Sequence, residues 1–150
     1  MERARMSLEA DWAHRRGITG KGVGIAVLDT GIAAGHPDFS GIPTKLAAFC
    51  DCIGKKNTPY DDNGHGTHVS GIAAGRGIAS SGKFTGLAPD SHLIVIKVLD
   101  RRGNGDADVV MKGIRWTMEH REAYGIRVVN ISVGALPRKG IGEGSRLLET

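Results

Sequence analysis

Apolar residues gather in runs that alternate with polar, glycine-rich stretches. VGIAVLD (residues 23–29) is a continuous apolar run bounded by glycines, and HLIVIKVL (92–99) is another, rich in β-branched residues. Both predict strands buried on two faces. KLAAFCDCI (45–53) predicts a strand between them and IRVVNISVG (126–134) a later one. Elsewhere the period is helical. Val110, Ile114 and Met118 fall at i, i+4, i+8 and predict a helix from Asp106, its N-cap, to Glu119. A small-residue helix is expected from near His65 to Gly75. A short one is expected over 6–16, where Leu8, Trp12 and Ala13 share a face. Leu147–Leu148 is expected to open another helix, inside which the chain stops. Strands alternating with helices predict an α/β fold with a parallel central sheet and right-handed crossovers. No repeat and no linker interrupts the 150 residues, so one domain is expected.

Composition changes little in this picture. Forty percent hydrophobic and 24% charged is ordinary for a globular chain, and 23 dispersed glycines point to tight turns and close backbone approaches. The net charge of +4 comes from scattered pairs such as Arg15–Arg16 and Lys55–Lys56, with no basic run interleaved with aromatics. Nucleic acid is therefore not expected as a partner. No apolar stretch approaches 18 residues, so no membrane partner is expected. MERARMSLEADWAHRRG lacks the apolar core of a secretion signal, so a cytoplasmic location is expected. Cys50 and Cys52 are spaced poorly for a mutual disulfide and too sparsely for zinc, and two free thiols fit a reducing compartment.

Two places hold candidate chemistry. Asp29 ends the first buried strand, at the carboxyl edge where open α/β sheets bind ligands. It could make an Asx-turn with Thr30 and Gly31. Asp-Thr-Gly is also the spelling of an aspartic-peptidase motif, which requires a second copy or a homodimer in a mostly β chain. GKGVG precedes the strand, so it offers no helix N-terminus to a dinucleotide. The remaining role is an acid that orients a histidine.

DDNGHGTHVSG (61–71) supplies the histidines. Asn63-Gly64 signals a turn, which places His65 in the first turn of a helix, between glycines that leave its ring accessible. The positive end of the helix favours a neutral ring that acts as a base. His68, one turn on, leans toward the packed face. HxxH with Asp29 as third ligand is a metal reading, although helical zinc pairs are spaced i, i+4 around a glutamate. Two satisfied structural histidines form the plainest alternative. A strand-end acid with a helix-start histidine is also half of a nucleophilic triad.

GIAVLDTGI, HPDF, NGHGTHVSGIAAG, GLAP, VIKVLDRRGNGDADVVMKGIRW and VVNISVG, in this order, resemble the subtilisin-like serine proteases over roughly residues 10 to 150. The resemblance implies the three-layer subtilisin-like fold, incomplete here, and a serine endopeptidase acting on peptide or protein substrates through an Asp-His-Ser triad. It matches the acid to Asp29 and the base to His65, and makes His68 a packing residue. It matches the segments that hold the substrate as an added strand to Gly103, Asn104, Gly105 on one side and Ser132, Val133, Gly134 on the other. Asn130 is then a structural residue at a strand end, not an oxyanion donor. The Gly-Thr-Ser nucleophile motif is absent, and Ser145 in GEGSRL does not match it. Residues 1–150 are therefore expected to be the N-terminal portion of one peptidase domain, inactive alone. A truncated subtilase half acting as a binding or regulatory module is the alternative, and a metal-dependent hydrolase a further one. No cofactor is required. In some members the position of Asp38 binds calcium, but the loop that would complete the site reads GIASSGKF here and lacks the family's asparagine.

Overall fold

The computed structural model describes residues 2–41 and 43–134. Helices α1 (Glu2–Ser7) and α2 (Ala10–Arg15) lead into strand β1 (Gly24–Asp29). Strand β2 (Leu46–Asp51), helix α3 (His65–Ala74), strand β3 (His92–Lys97), helix α4 (Ala107–Glu119) and strand β4 (Ile126–Ile131) follow. The strands form one sheet in the order β2-β3-β1-β4, and every pairing is parallel. This is the α/β arrangement expected from the alternating runs.

The central strands explain the layering. Alternate side chains of a strand leave on opposite faces. Ile25 and Val27 of β1, with Leu93 and Val95 of β3, pack against Val69, Ala73 and Ala74 of α3. Ala26, Leu28, Ile94 and Ile96 face the other way, against Val110 and Ile114 of α4. The sheet is thus the middle of three layers, and all six positions of β1 are buried. By the same alternation Asp29 and Lys97, register partners at the carboxyl edge, belong to the α3 face.

Several expectations are corrected. The single helix over 6–16 is two, broken at Glu9, whose φ of 52° is left-handed. Leu8 and Trp12 are exposed, and the buried residue is Ala10. On α4 the buried face runs through Val110, Gly113 and Thr117, while Met118 is 70% exposed. The cause is Gly113, where an added Cβ would lie 2.6 Å from Val98 Cγ1. The helix meets the sheet through its glycine, and a hydrophobicity pattern cannot register that. Asp106 is at the N-cap, but its side chain makes no capping bond. The fourth strand ends at Ile131, so Ser132, Val133 and Gly134 form its exit. The helix expected at Leu147–Leu148 lies outside the described residues. Cys50 and Cys52 are free thiols with sulfurs 3.8 Å apart; burial and the neighbouring Cys50 push the Cys52 thiol up to about 12. Among the described residues no helix is long and apolar enough to cross a membrane.

Candidate active site

The carboxyl edge of β1 and the first turn of α3 meet at one point. Asp29 is fully buried, and its carboxylate accepts from the amide of the next residue, Thr30, at 2.7 Å, one residue short of an Asx-turn. It also meets His65, 36 residues away in sequence. His65 Nδ1 lies 2.8 Å from Oδ1 and 2.9 Å from Oδ2. A carboxylate only accepts, so Nδ1–H donates and the ring's other nitrogen carries the lone pair. The imidazole is half exposed, so that lone pair is accessible.

Local structure holds the ring there. Gly64, with a φ of 101°, turns the chain into α3, and His65 is the first helical residue. A helix start leaves amides without intrahelical acceptors. Here three side chains take them. Asn63 Oδ1 accepts from the His65 amide at 3.1 Å, Thr30 Oγ1 from Gly66 at 2.9 Å, and Asp61 Oδ2 from Thr67 at 2.9 Å. The second of these docks the helix directly onto the β1 exit. Gly66 permits the approach: a Cβ there would fall 2.3 Å from the Gly31 carbonyl oxygen. The glycines flanking His65 therefore serve the turn and the docking more than the accessibility of the ring.

Asp61 is the hub of this turn. Its Oδ1 accepts from the Thr30 hydroxyl and from the Asn63 and Gly64 amides; its Oδ2 accepts from the Thr67 amide and hydroxyl. Burial alone would raise its pKa, but these donors prevail and hold it down to about 2. Beneath the turn, Lys97 Nζ donates to Thr30 O at 2.5 Å, Asp62 Oδ1 at 2.7 Å and Leu99 O at 2.9 Å. Asp51 shapes the preceding loop by accepting from the Ile53, Gly54 and Lys56 amides and the Tyr60 hydroxyl, and these donors lower its pKa against the effect of burial. Sequence reasoning missed Thr30, Asp51, Asp61, Thr67 and Lys97. For Lys97 a signal existed: a lone lysine near the end of a continuous apolar strand.

His68 is corrected. It is exposed, and it lines a cavity of about 390 Å³ with His36, Asp38, Phe39, Ile72 and Phe84, which His65 does not line. The packed face of α3 is formed by Gly66, Ser70 and Ala74, smaller residues rotated away from it. Asp38 Oδ1 accepts from the Ala79 amide at 2.8 Å, and among the described residues no group of three or more His, Cys, Asp and Glu side chains is placed to hold a metal.

Gly103, Asn104 and Gly105 form an exposed loop closed on Asp100, whose carboxylate accepts from the Arg102 and Asn104 amides. The Asn104 carbonyl accepts from the Asp100 amide, so both backbone groups of Asn104 are engaged within the loop. Asn63 Nδ2 joins this loop to the site by donating to Arg101 O at 3.0 Å. Ser132, Val133 and Gly134 leave β4 at the same sheet edge, where Leu28 pairs with Ile131. Val133 is half buried on the α4 face, Ser132 and Gly134 are exposed, and Asn130 Nδ2 donates to Ser132 Oγ.

Comparison with known proteins identifies the family of the chain. The Subtilase family (Peptidase_S8) matches residues 20–149. Serine protease AprX of Bacillus subtilis is 45% identical over 70% of this chain, a thermostable alkaline protease of Halalkalibacterium halodurans 40% over 82%, and subtilisin Savinase of Lederbergia lenta 36% over 85%. The chain spans 23%, 31% and 43% of these relatives' lengths. With one family accounting for almost all of β1 to β4 and for the loops between them, the chain belongs to the subtilase family.

Proposed function

We propose that this chain supplies the acid and base of a serine endopeptidase. The observation that carries the reading is the two-oxygen contact of the buried Asp29 with His65 Nδ1, which leaves the accessible nitrogen as the base. Asp29 fixes the tautomer and stabilises the imidazolium as it forms. His65 takes the proton of a serine hydroxyl as that oxygen attacks the peptide carbonyl. It then returns the proton to the leaving amine, and a water repeats the cycle on the acyl-enzyme. Gly103–Asn104–Gly105 and Ser132–Val133–Gly134 flank the substrate, which lies between them as an added strand. In the first segment Gly105 is the residue to pair, because the Asn104 backbone is already engaged.

The nucleophile would come from a Gly-Thr-Ser motif, which these 150 residues do not contain, so alone they are expected not to cleave peptides. The metal alternative lacks comparable support: His65 Nδ1 is committed to Asp29, and His68 lines a different cavity.

The test uses the full-length gene product. His65→Ala should lower turnover by about six orders of magnitude, the scale known for the base of this family's triad. Asp29→Asn should lower it by on the order of 10⁴, as in Ser-His-Asp peptidases generally. A serine-directed phosphonate should abolish hydrolysis, and a chelator should not. Full activity in His65→Ala, or loss to a chelator in folded protein with recovery on adding zinc, would refute the assignment.

A further inference from the structure

We propose that Lys97 is a positioning residue that sets the approach of acid and base, an inference that rests on the assignment of Asp29 and His65 above. Lys97 closes β3 and is 1% exposed. It lies in register with Asp29 of β1 on one side and Asp51 of β2 on the other. An ammonium in such a place is costly unless every proton has an acceptor. Its three protons have three: Thr30 O, Leu99 O and Asp62 Oδ1. The Tyr60 ring adds a face 5.0 Å from the nitrogen.

The acceptors stand on three different segments leaving the carboxyl edge. Thr30 follows the acid by one residue, Asp62 precedes the base by three, and Leu99 begins the passage to the Gly103–Gly105 loop. One cation therefore ties the acid's segment, the base's segment and a substrate-flanking segment to one point. Besides the Asp29–His65 contact itself, the Thr30 hydroxyl, the Gly31–Asp61 bridge and the bond from the Ala33 amide to Thr67 Oγ1 also join the β1 exit to the α3 turn, but none of them reaches the third segment. The bond to Asp62 pairs two full charges, so it resists displacement more strongly than a neutral bond. Asp29 is fixed by its buried strand, and the half-exposed His65 ring takes its position from the turn that carries it. Holding Asp62 thus helps to hold that turn.

A lysine that only stabilised the fold would change how much protein folds and leave turnover per active site alone. A positioning lysine changes turnover itself. The measurement is kcat and KM for peptide hydrolysis by the full-length gene product, normalised to sites titrated with a serine-directed phosphonate. The low-field proton resonance of His65 Nδ1–H is recorded alongside. Lys97→Met should lower kcat about a hundredfold, the scale of a 1 Å misplacement, and leave KM within about twofold. Asp62→Asn keeps an acceptor but removes the charge, on a side chain that is 44% exposed. It should lower kcat about tenfold and shift or broaden the resonance. If Lys97→Met does not fold, Asp62→Asn decides. Wild-type turnover per titrated site with an unshifted resonance, in either folded variant, overturns the inference. His65→Ala separates the two claims: if it is inactive while both variants are fully active, only the role of Lys97 falls; if it is active, the acid–base assignment falls first.

Discussion

Gly66→Ala is the sharpest single test of how the site is built. Gly66 lies within α3, where alanine is ordinarily better than glycine by about 1 kcal/mol. Propensity alone therefore predicts stabilisation. Packing predicts the reverse. The new Cβ would lie 2.3 Å from Gly31 O, 2.9 Å from Gly31 N and 3.1 Å from Asp29 Cβ. A comfortable C···O approach is about 3.3 Å, so the helix start must retreat by about 1 Å. The obstacle is backbone at the end of a fully buried strand, so it cannot swing aside. Overpacking of this kind costs about 1–3 kcal/mol, and stretching the bond from the Gly66 amide to Thr30 Oγ1 adds about 1 kcal/mol. The net loss is about 2 kcal/mol, which lowers the Tm of the longer full-length product by about 4 °C or less. The retreat carries His65 with it, so turnover should fall about a hundredfold. Thermal melts and peptide hydrolysis by the full-length gene product read both effects. A variant that melts at or above wild type with unchanged turnover would show that α3 does not need this contact and would refute the docking argument.

Two further outcomes follow from the polar network and the thiols. Asp61 is held down to about 2, so its contribution to stability is present above the ordinary carboxylate value near 3.8 and is lost as pH falls from there toward 2. After allowance for solvent screening it is on the order of 1 kcal/mol; acid titrations followed by circular dichroism should show the wild type losing that increment below pH 4 and Asp61→Asn lacking the step. Cys52, raised to about 12 and 7% exposed, should react with iodoacetamide at pH 8 far more slowly than Cys50, and peptide mapping after brief alkylation would reveal equal labelling if the strand end were open.

The sequence made the sheet legible because its central strands are buried on both faces and carry polar residues only at their ends, Asp29 on one and His92 and Lys97 on the other. The VGIAVLD and HLIVIKVL runs have no amphipathic reading to compete with the strand. The pairing of Asp29 with His65 was legible because glycine and an Asn-Gly turn mark the ends of the elements that carry them. The supporting residues were not. Asp61 and Thr30 act through contacts across 31 residues, and Thr67 joins them only when the helix docks. The misplaced end of the α4 stripe has the same origin, since Val110 and Ile114 do pack on the sheet and only Met118 does not. Met118 fits the helical period, but the helix sits on the sheet through Gly113, and close approach there turns Met118 outward. His68 went astray because Val69 and Ala73 do pack against the sheet, while His68 itself leaves the helix on its exposed side.

The central position of β1 also bears on how the chain reaches this structure. Both neighbours of β1 come from later sequence: Thr30 and the lysine it meets on β3 are 67 residues apart, and β4 is farther still. Its first sheet partner is therefore not the next strand made but the one after. At a synthesis rate of about 5–20 residues per second, β1 leaves the ribosome several seconds before that partner exists. During that interval its six positions, all destined for burial, have no native surface to meet. Pairing of this range closes large loops and is slow. Closure of the sheet centre beside the Asp29–His65 contact must therefore wait for β3, and until then the six positions of β1 lack their native cover.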